Sequence, residues 1–229
     1  MKDLSKLEKK LNVRFNKTDL LRQALVHKSY INENPHFELD HNERLEFLGD
    51  AVLELAVTEY IFKHYPRTPE GEMTNWRASL VNASMLTAVA AEFDLYDYLY
   101  LSKGEKKDQN IKARQYILAN AFEALIGSLY LDQGMDTARD FIEKNIIVKL
   151  PHILKNQLYV DAKTNFQELA QEKEGITPTY NVIREEGPDH AKEFTIGVYV
   201  NNLLYGKGLG KSKQEAETKA AKAALEKWK

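Results

Sequence analysis

Five oxygen-bearing side chains in two apolar stretches carry the chemistry that this sequence could do. Glu43, Glu46 and Asp50 stand at i, i+3 and i+7 within His41-Asn-Glu-Arg-Leu-Glu-Phe-Leu-Gly-Asp-Ala-Val-Leu53. On a helix that spacing puts all three on one narrow face. Leu45, Leu48, Val52, Leu53 and Leu55 cover most of the remaining surface, so the helix is expected to be well buried. Acids crowded together in such surroundings repel one another and lose hydration, and something must neutralise them. A second apolar stretch, Ile117 to Gly127, carries Asn120 and Glu123 three residues apart. If the two helices pack together, Glu46, Asp50, Asn120 and Glu123 can converge into an oxygen-only cluster. Hard oxygen donors suit Mg²⁺, with Mn²⁺ as a substitute. A pair of such ions is the usual arrangement for in-line phosphodiester cleavage. The same acids could equally be ordinary ion-pair partners of Arg44, Arg77, Arg114 or Lys112.

Other chemistries find less support. The chain has no cysteine, which removes disulfides, thiolate metal sites and a cysteine nucleophile. There is no HExxH zinc motif. Glu33 to His36 has ExxH spacing, but Pro35 inside it forbids a regular helix there. Gly206-Lys-Gly-Leu-Gly210 is glycine-rich without the phosphate-cradling G-x-x-x-x-G-K-[ST] pattern, so no small-molecule cofactor is expected. The six histidines are scattered.

The elements that must position these residues follow from periodicity. Residues 1–155 read as helices: one opening at Thr18, one from about Asn42 to His64, and one from an N-cap at Thr68-Pro69 to about Glu92. Another runs from Gln115 to Asp132 and is stopped at Gly134, and a last one covers Met135 to about Leu150. Lys103 to Asn110 reads as a polar loop. Residues 156–159 read as a linker, and the pattern then changes. Lys163 to Glu174 is helical, Tyr180–Glu186, Glu193–Val200 and Leu203–Leu209 are strand-like, and Ser212 with Glu215 forms a capping box for a final helix to Trp228. The expected fold is therefore multidomain: an all-α domain, then an α-β-β-β-α (α+β) domain over residues 160–229.

Composition bounds the setting. With 229 residues, 43% hydrophobic and 29% charged, the chain has the balance of a soluble globular protein. Its longest apolar runs are too short to cross a bilayer, and Met1 to Leu11 has no apolar signal region, so a cytoplasmic protein without membrane partners is expected. A net charge of −2 argues against a nucleic-acid partner, yet Lys207 to Lys229 holds seven lysines against three glutamates. Local charge matters more than the sum.

At this point the residues resemble a known family. Asn42-Glu-Arg-Leu-Glu-Phe-Leu-Gly-Asp50 is similar to the ribonuclease III signature, and Ala24–Tyr30, Glu70–Ala78 and Leu118–Gly127 resemble the family's flanking and second catalytic segments. Gly206 to Lys213, with the order of elements around it, resembles a double-stranded-RNA-binding domain. The resemblance implies a homodimeric endonuclease that cuts duplex RNA, as in ribosomal precursor and mRNA processing, leaving 5′ phosphates and short 3′ overhangs. It implies metal-binding roles for Glu46, Asp50 and Glu123, with Asp50 and Glu123 catalytic. Glu43 falls near the dimer interface and substrate, and Glu70 in the RNA valley. In the second domain it implies RNA contacts from Thr164, Asn165, Gln167 and Glu168, from the loop at Gly187 to His190, and from Lys211 and Lys213. Two departures stand out. Asn120 replaces the family's aspartate, an amide that could still ligate a cation but adds no charge. Gln214 and Glu217 stand where many relatives have lysine. The alternative is a duplex-RNA-binding protein whose cleavage is weakened or abolished at Asn120.

Overall fold

The two acid-bearing stretches become the two long helices of the protein, seen in a computed structural model that describes residues 2–157, 159, 162–188 and 192–228. The chain divides into two units, Met1–Tyr159 and Val160–Lys229. The first is all-α and the second is α-β-β-β-α, the fold class that the patterning implies.

The first unit begins with three short helices, α1 (Ser5–Leu11), α2 (Thr18–Ala24) and α3 (Lys28–Glu33). The long α4 (Glu43–His64) follows, then α5 (Glu70–Val81), α6 (Ala83–Glu92), α7 (Leu95–Tyr98) and α8 (Lys103–Lys107). The longest, α9 (Ile111–Asn145), is followed by a 3₁₀ turn (Ile147–Lys149) and α10 (Leu150–Lys155). Packing between α4 and α9 is the most extensive in the unit. Leu53, Val57 and Ile61 of α4 and Phe122, Leu125 and Leu129 of α9 are all buried there. Phe93, Phe122 and Phe141 group their rings 6.0–6.4 Å apart in the same core. Each such ring stabilises the fold by roughly 2–3 kcal/mol through burial.

Several boundaries differ from the sequence reading, each for a local reason. Thr68 is not an N-cap, because Pro69 occupies that position in extended backbone. The expected single helix to Glu92 is two helices, α5 and α6. Asn82 between them is extended, and its side chain accepts from the Met85 N–H and so caps α6. The polar stretch after Leu101 holds α8, because Ser102 accepts from Glu105 N–H and starts a turn. Helix α9 begins earlier than Gln115, since Asn110 caps it through Lys112 and Ala113. It runs through Gly134 as a kink, where φ 83° and ψ −179° suit glycine alone. It then ends at Asn145, short of Leu150. Leu55, expected inside, is 58% exposed.

In the second unit α11 (Ala162–Glu174) precedes β1 (Thr179–Glu186), β2 (Glu193–Val200) and β3 (Leu203–Gly210), and α12 (Lys213–Lys227) closes it. The strands form an antiparallel sheet in the order β1-β2-β3. Both helices pack on one face, burying Phe166 of α11, Val198 and Val200 of β2, and Ala220, Ala221 and Ala224 of α12. The alternating glycines of β3 let α12 lie directly on the strand. A Cβ on Gly208 would stand 2.1 Å from the Ala216 carbonyl oxygen. That close seat fixes where the N-terminus of α12 emerges.

Candidate active site

Two glycines decide how the acids meet. A Cβ added to Gly49 of α4 would lie 1.8 Å from the Glu123 carbonyl oxygen, and one on Gly127 of α9 would lie 2.2 Å from that of Leu45. The helices therefore cross with backbone against backbone, closer than any pair of side-chain-bearing positions permits. At this crossing the acid face of α4 meets the face of α9 that carries Asn120 and Glu123. Glu46 and Glu123 are partly buried, and Asp50 is exposed. The sequence reading missed both glycines as determinants of the site. Their signal was visible as one glycine beside the acids in each apolar stretch.

The electrostatics of the cluster are one-sided. The Glu123 carboxyl is pushed up to about 7, first by burial and then by Asp50 and Glu46. Burial also pushes Glu46 upward, with Glu43 and Asp50 adding to it, while a hydrogen bond from the Asn120 amide pulls it back. Among the described residues, the ion pairs on α4 and α9 use Glu43, Glu59, Asp136 and Asp140 and leave Glu46, Asp50 and Glu123 out. Two of the four candidate partners, Arg77 and Arg114, are occupied elsewhere. Arg77 donates to the Thr58 hydroxyl at 3.2 Å, and the Arg114 guanidinium lies 4.3 Å from the Tyr96 ring centre. Glu43 alone among these acids follows the ion-pair reading, with Lys28 Nζ 3.2 Å from its carboxylate.

A donor set of three carboxylates and one amide oxygen, without an ion-pair partner among the described residues, is chemically suited to a hard divalent cation. The acids are not closed around a point. Among the described residues no three Asp, Glu, His or Cys side chains are grouped tightly enough to hold a metal ion. Like charges lower their energy by staying apart until a cation lies between them.

The other expected contact residues fall into separate places. Glu70 is exposed at the start of α5, where its carboxylate accepts from the Thr74 hydroxyl at 3.0 Å. Thr164, Asn165, Gln167 and Glu168 are exposed on α11. Lys211 and Lys213 are exposed at the start of α12, where Ser212 accepts from Glu215 N–H and Glu215 accepts from Lys211 N–H. Glu217 is tied to Lys163 at 2.7 Å, and Lys219 to Glu215 at 2.7 Å. His190 lies outside the described residues.

Comparison with known proteins fits this arrangement. Residues 17–150 match the ribonuclease-III-like family, and residues 162–228 match the double-stranded RNA binding motif. Over 226 residues the chain is 46% identical to ribonuclease 3 of Sulfurovum sp., a match that spans 99% of this chain and 98% of that one. The chain belongs to the ribonuclease III family. That makes it an endoribonuclease with a double-stranded-RNA-binding domain behind its nuclease domain. Ribonuclease 3 of Pelotomaculum thermopropionicum is 45% identical over 222 residues, 97% of this chain and 92% of that one. The solved nuclease domain of ribonuclease III from Campylobacter jejuni, described for flexibility in a region involved in dimer formation, is 37% identical with a TM-score of 0.54. It covers 62% of this chain and 98% of that one. Among the described residues no helix is long and apolar enough to cross a membrane.

Proposed function

We propose that this ribonuclease III family member is a Mg²⁺-dependent, homodimeric endonuclease that cuts both strands of duplex RNA, leaving 5′ phosphates and short 3′ overhangs. Ribosomal precursors and mRNA in the cytoplasm are its expected substrates. One observation carries the reading: Glu46, Asp50 and Glu123 lie at a backbone-to-backbone helix crossing where, among the described residues, none of them has an ion-pair partner. In this reading Glu46, Asp50, Glu123 and Asn120 would hold two divalent ions, which would supply the Lewis acidity for water activation and for the leaving 3′ oxygen. Asp50, the exposed acid, would meet the RNA, and Glu123, partly buried, would anchor the site. The close backbone crossing fixes where both side chains start, and the carboxylates would close in when a cation binds.

Duplex RNA is held by shape. The exposed residues of α11, Thr164 and Gln167 among them, suit a minor groove. Lys211 and Lys213 at the N-terminus of α12 suit the phosphates beside it, where helix dipole and ammonium charge act together. Glu70 lines the path of the RNA, and Glu43 lies near substrate and subunit interface.

Homodimerisation has support on the surface of α4. Phe47, Leu55 and Phe62 are 82%, 58% and 69% exposed, an apolar row that a monomer would leave in water. Phe47 lines a cavity of about 680 Å³ together with Leu20, Leu45, Leu48 and Leu131 and with the polar Gln23, His41, Glu43 and Arg44. A protruding ring beside a hollow is self-complementary, as a two-fold interface requires.

The test is cleavage of an end-labelled RNA duplex with Mg²⁺, with Mn²⁺ and with EDTA. Cuts on both strands that EDTA abolishes are expected. Binding without cleavage under every metal condition would leave a duplex-RNA-binding protein silenced at Asn120.

A further inference from the structure

We propose that Asn42 is a positioning residue that fixes where α4 stands along α9, and with it the starting places of Glu46 and Asp50 opposite Glu123. The inference rests on the metal-centred reading of the site. Asparagine just before a helix ordinarily turns its side chain back to cap the first turn. Asn42 makes no such bond, and His41 takes that place, its Nδ1 accepting from the Glu43 N–H at 3.4 Å. The Asn42 side chain is instead buried, 4% exposed, and its Nδ2 donates to the Ala24 carbonyl oxygen at 3.1 Å. Ala24 ends α2, where carbonyls lack helical partners. The Asn42 N–H donates to the Val26 carbonyl at 2.8 Å, and the Asn42 carbonyl accepts from the Glu46 N–H at 2.9 Å. A continuous run of bonds thus joins α2 to the backbone of Glu46. Among the described residues the other buried polar side chains, Ser102 and Ser128, serve the helices they belong to.

A fixed point is needed because the crossing itself is smooth. Gly49 and Gly127 bring the backbones together, but a residue without a side chain gives no knob to stop one helix sliding past the other. A slide by one residue displaces a carboxylate by about 1.5 Å. About 1 Å of misplacement at a reacting centre costs on the order of 10²-fold in rate. The anchor stands close to the crossing: Ala24, Leu45 and Ala124 form a small buried cluster, and Ala124 is the neighbour of Glu123. It is also braced. Tyr100 N–H donates to the Leu25 carbonyl at 2.8 Å and His27 N–H to the Tyr100 carbonyl at 3.1 Å, so residues 24–27 are held from both sides. Sequence reading placed Asn42 only at the start of a helix, and no local pattern shows its inward turn.

The experiment compares the full-length wild type with Asn42→Asp, which keeps the shape but loses the donor, and with Asn42→Ala, which loses the donor without burying a charge. Ile153→Ala, at a buried position of α10 where that helix packs on α5, is the control for lost stability alone. Steady-state cleavage of duplex RNA is titrated with Mg²⁺, and amide hydrogen exchange is followed in EDTA without RNA. Both Asn42 variants are expected to lose about 10- to 100-fold in kcat with KM unchanged, and to need about tenfold more Mg²⁺ for half-maximal rate. Their exchange should rise more over residues 42–50 and 118–127 than over the rest of the nuclease unit. Ile153→Ala is expected to melt lower while keeping kcat and the Mg²⁺ midpoint, with no excess exchange in those two segments. Wild-type kcat and exchange in both Asn42 variants overturn the inference and leave the metal-centred reading standing. Equal losses in Ile153→Ala also overturn it, since stability alone would then account for Asn42. A wild type that cuts no duplex with Mg²⁺ or Mn²⁺ overturns the metal-centred reading and this inference with it.

Discussion

The α4–α9 crossing and the α12–β3 seat use one packing device for opposite electrostatic ends. In both, glycine lets backbone meet backbone: Gly49 and Gly127 in the nuclease unit, Gly208 in the RNA-binding unit. At the first, carboxylates are drawn in and left without cations, so Glu123 is pushed up to about 7. At the second, charged side chains emerge on the surface and many find partners at once, as in Lys163–Glu217 and Lys219–Glu215. The lesson is that the proposed active site draws acids in without an ion-pair partner among the described residues, whereas the RNA-binding unit pairs part of its charge and keeps Lys211 and Lys213 exposed at the start of α12.

The comparison can be broken most sharply at its glycines. Gly127→Ala is expected to cost about 3 kcal/mol or more, because the new methyl would lie 2.2 Å from the Leu45 carbonyl oxygen and the helices must separate. Cleavage should vanish, and denaturant unfolding of the nuclease unit should shift to lower midpoint. Gly208→Ala should instead leave the nuclease unit's melting unchanged while weakening duplex binding in a gel shift. If both variants behave alike, the two contacts do not have separate roles.

Charge removal gives the next largest effect. Glu123→Gln should reduce cleavage by about 10³-fold or more, yet raise the melting temperature of the EDTA-treated protein at pH 8. The sign follows from linkage. A carboxyl whose folded pKa lies near 7, above its ordinary 4.5, favours the folded state while protonated, and that contribution is lost as pH rises through about 7. Cation-free wild type should therefore melt lower at pH 8 than at pH 6, with most of that difference absent from Glu123→Gln. A wild type equally stable at both values would mean that the carboxylates are neutralised by some other route.

Phe47→Asp tests the apolar row on α4. Placing a charge where a ring stands 82% exposed should turn a dimer into monomers in sedimentation, with little change in helical content. The smallest effect is expected in the RNA-binding unit. Gln214→Lys adds one cation at the exposed N-terminus of α12, so log Kd against log salt should steepen by up to about 1. An unchanged slope would place α12 away from the phosphates.

Much of this was legible in the order of residues. The i, i+3, i+7 spacing of Glu43, Glu46 and Asp50 placed them on one helical face, and the structure keeps them on α4. The three strands were legible because turn residues such as Asn201-Asn202 bound them, and both asparagines take the left-handed backbone that a tight turn needs. Asn82 was not legible as a break. Asparagine is tolerated inside helices, and its capping of Met85 N–H depends on where the chain must turn. Leu55 failed as a core residue for a related reason. Hydrophobic pattern shows which residues avoid water, but it does not say whether a core or a second subunit will cover them.

The sequence by itself determined the class of the main elements, the two-part architecture and the supply of oxygen ligands, because periodicity and residue chemistry are local properties. Only the tertiary structure decided that Gly49 and Gly127 meet, and that Arg77 and Arg114 turn to Thr58 and Tyr96. It also decided that Glu46, Asp50 and Glu123 have no ion-pair partner among the described residues. Those are matters of distance between segments 18 to 78 residues apart in the chain. Distance sets both how far a pKa moves and what an acid can hold.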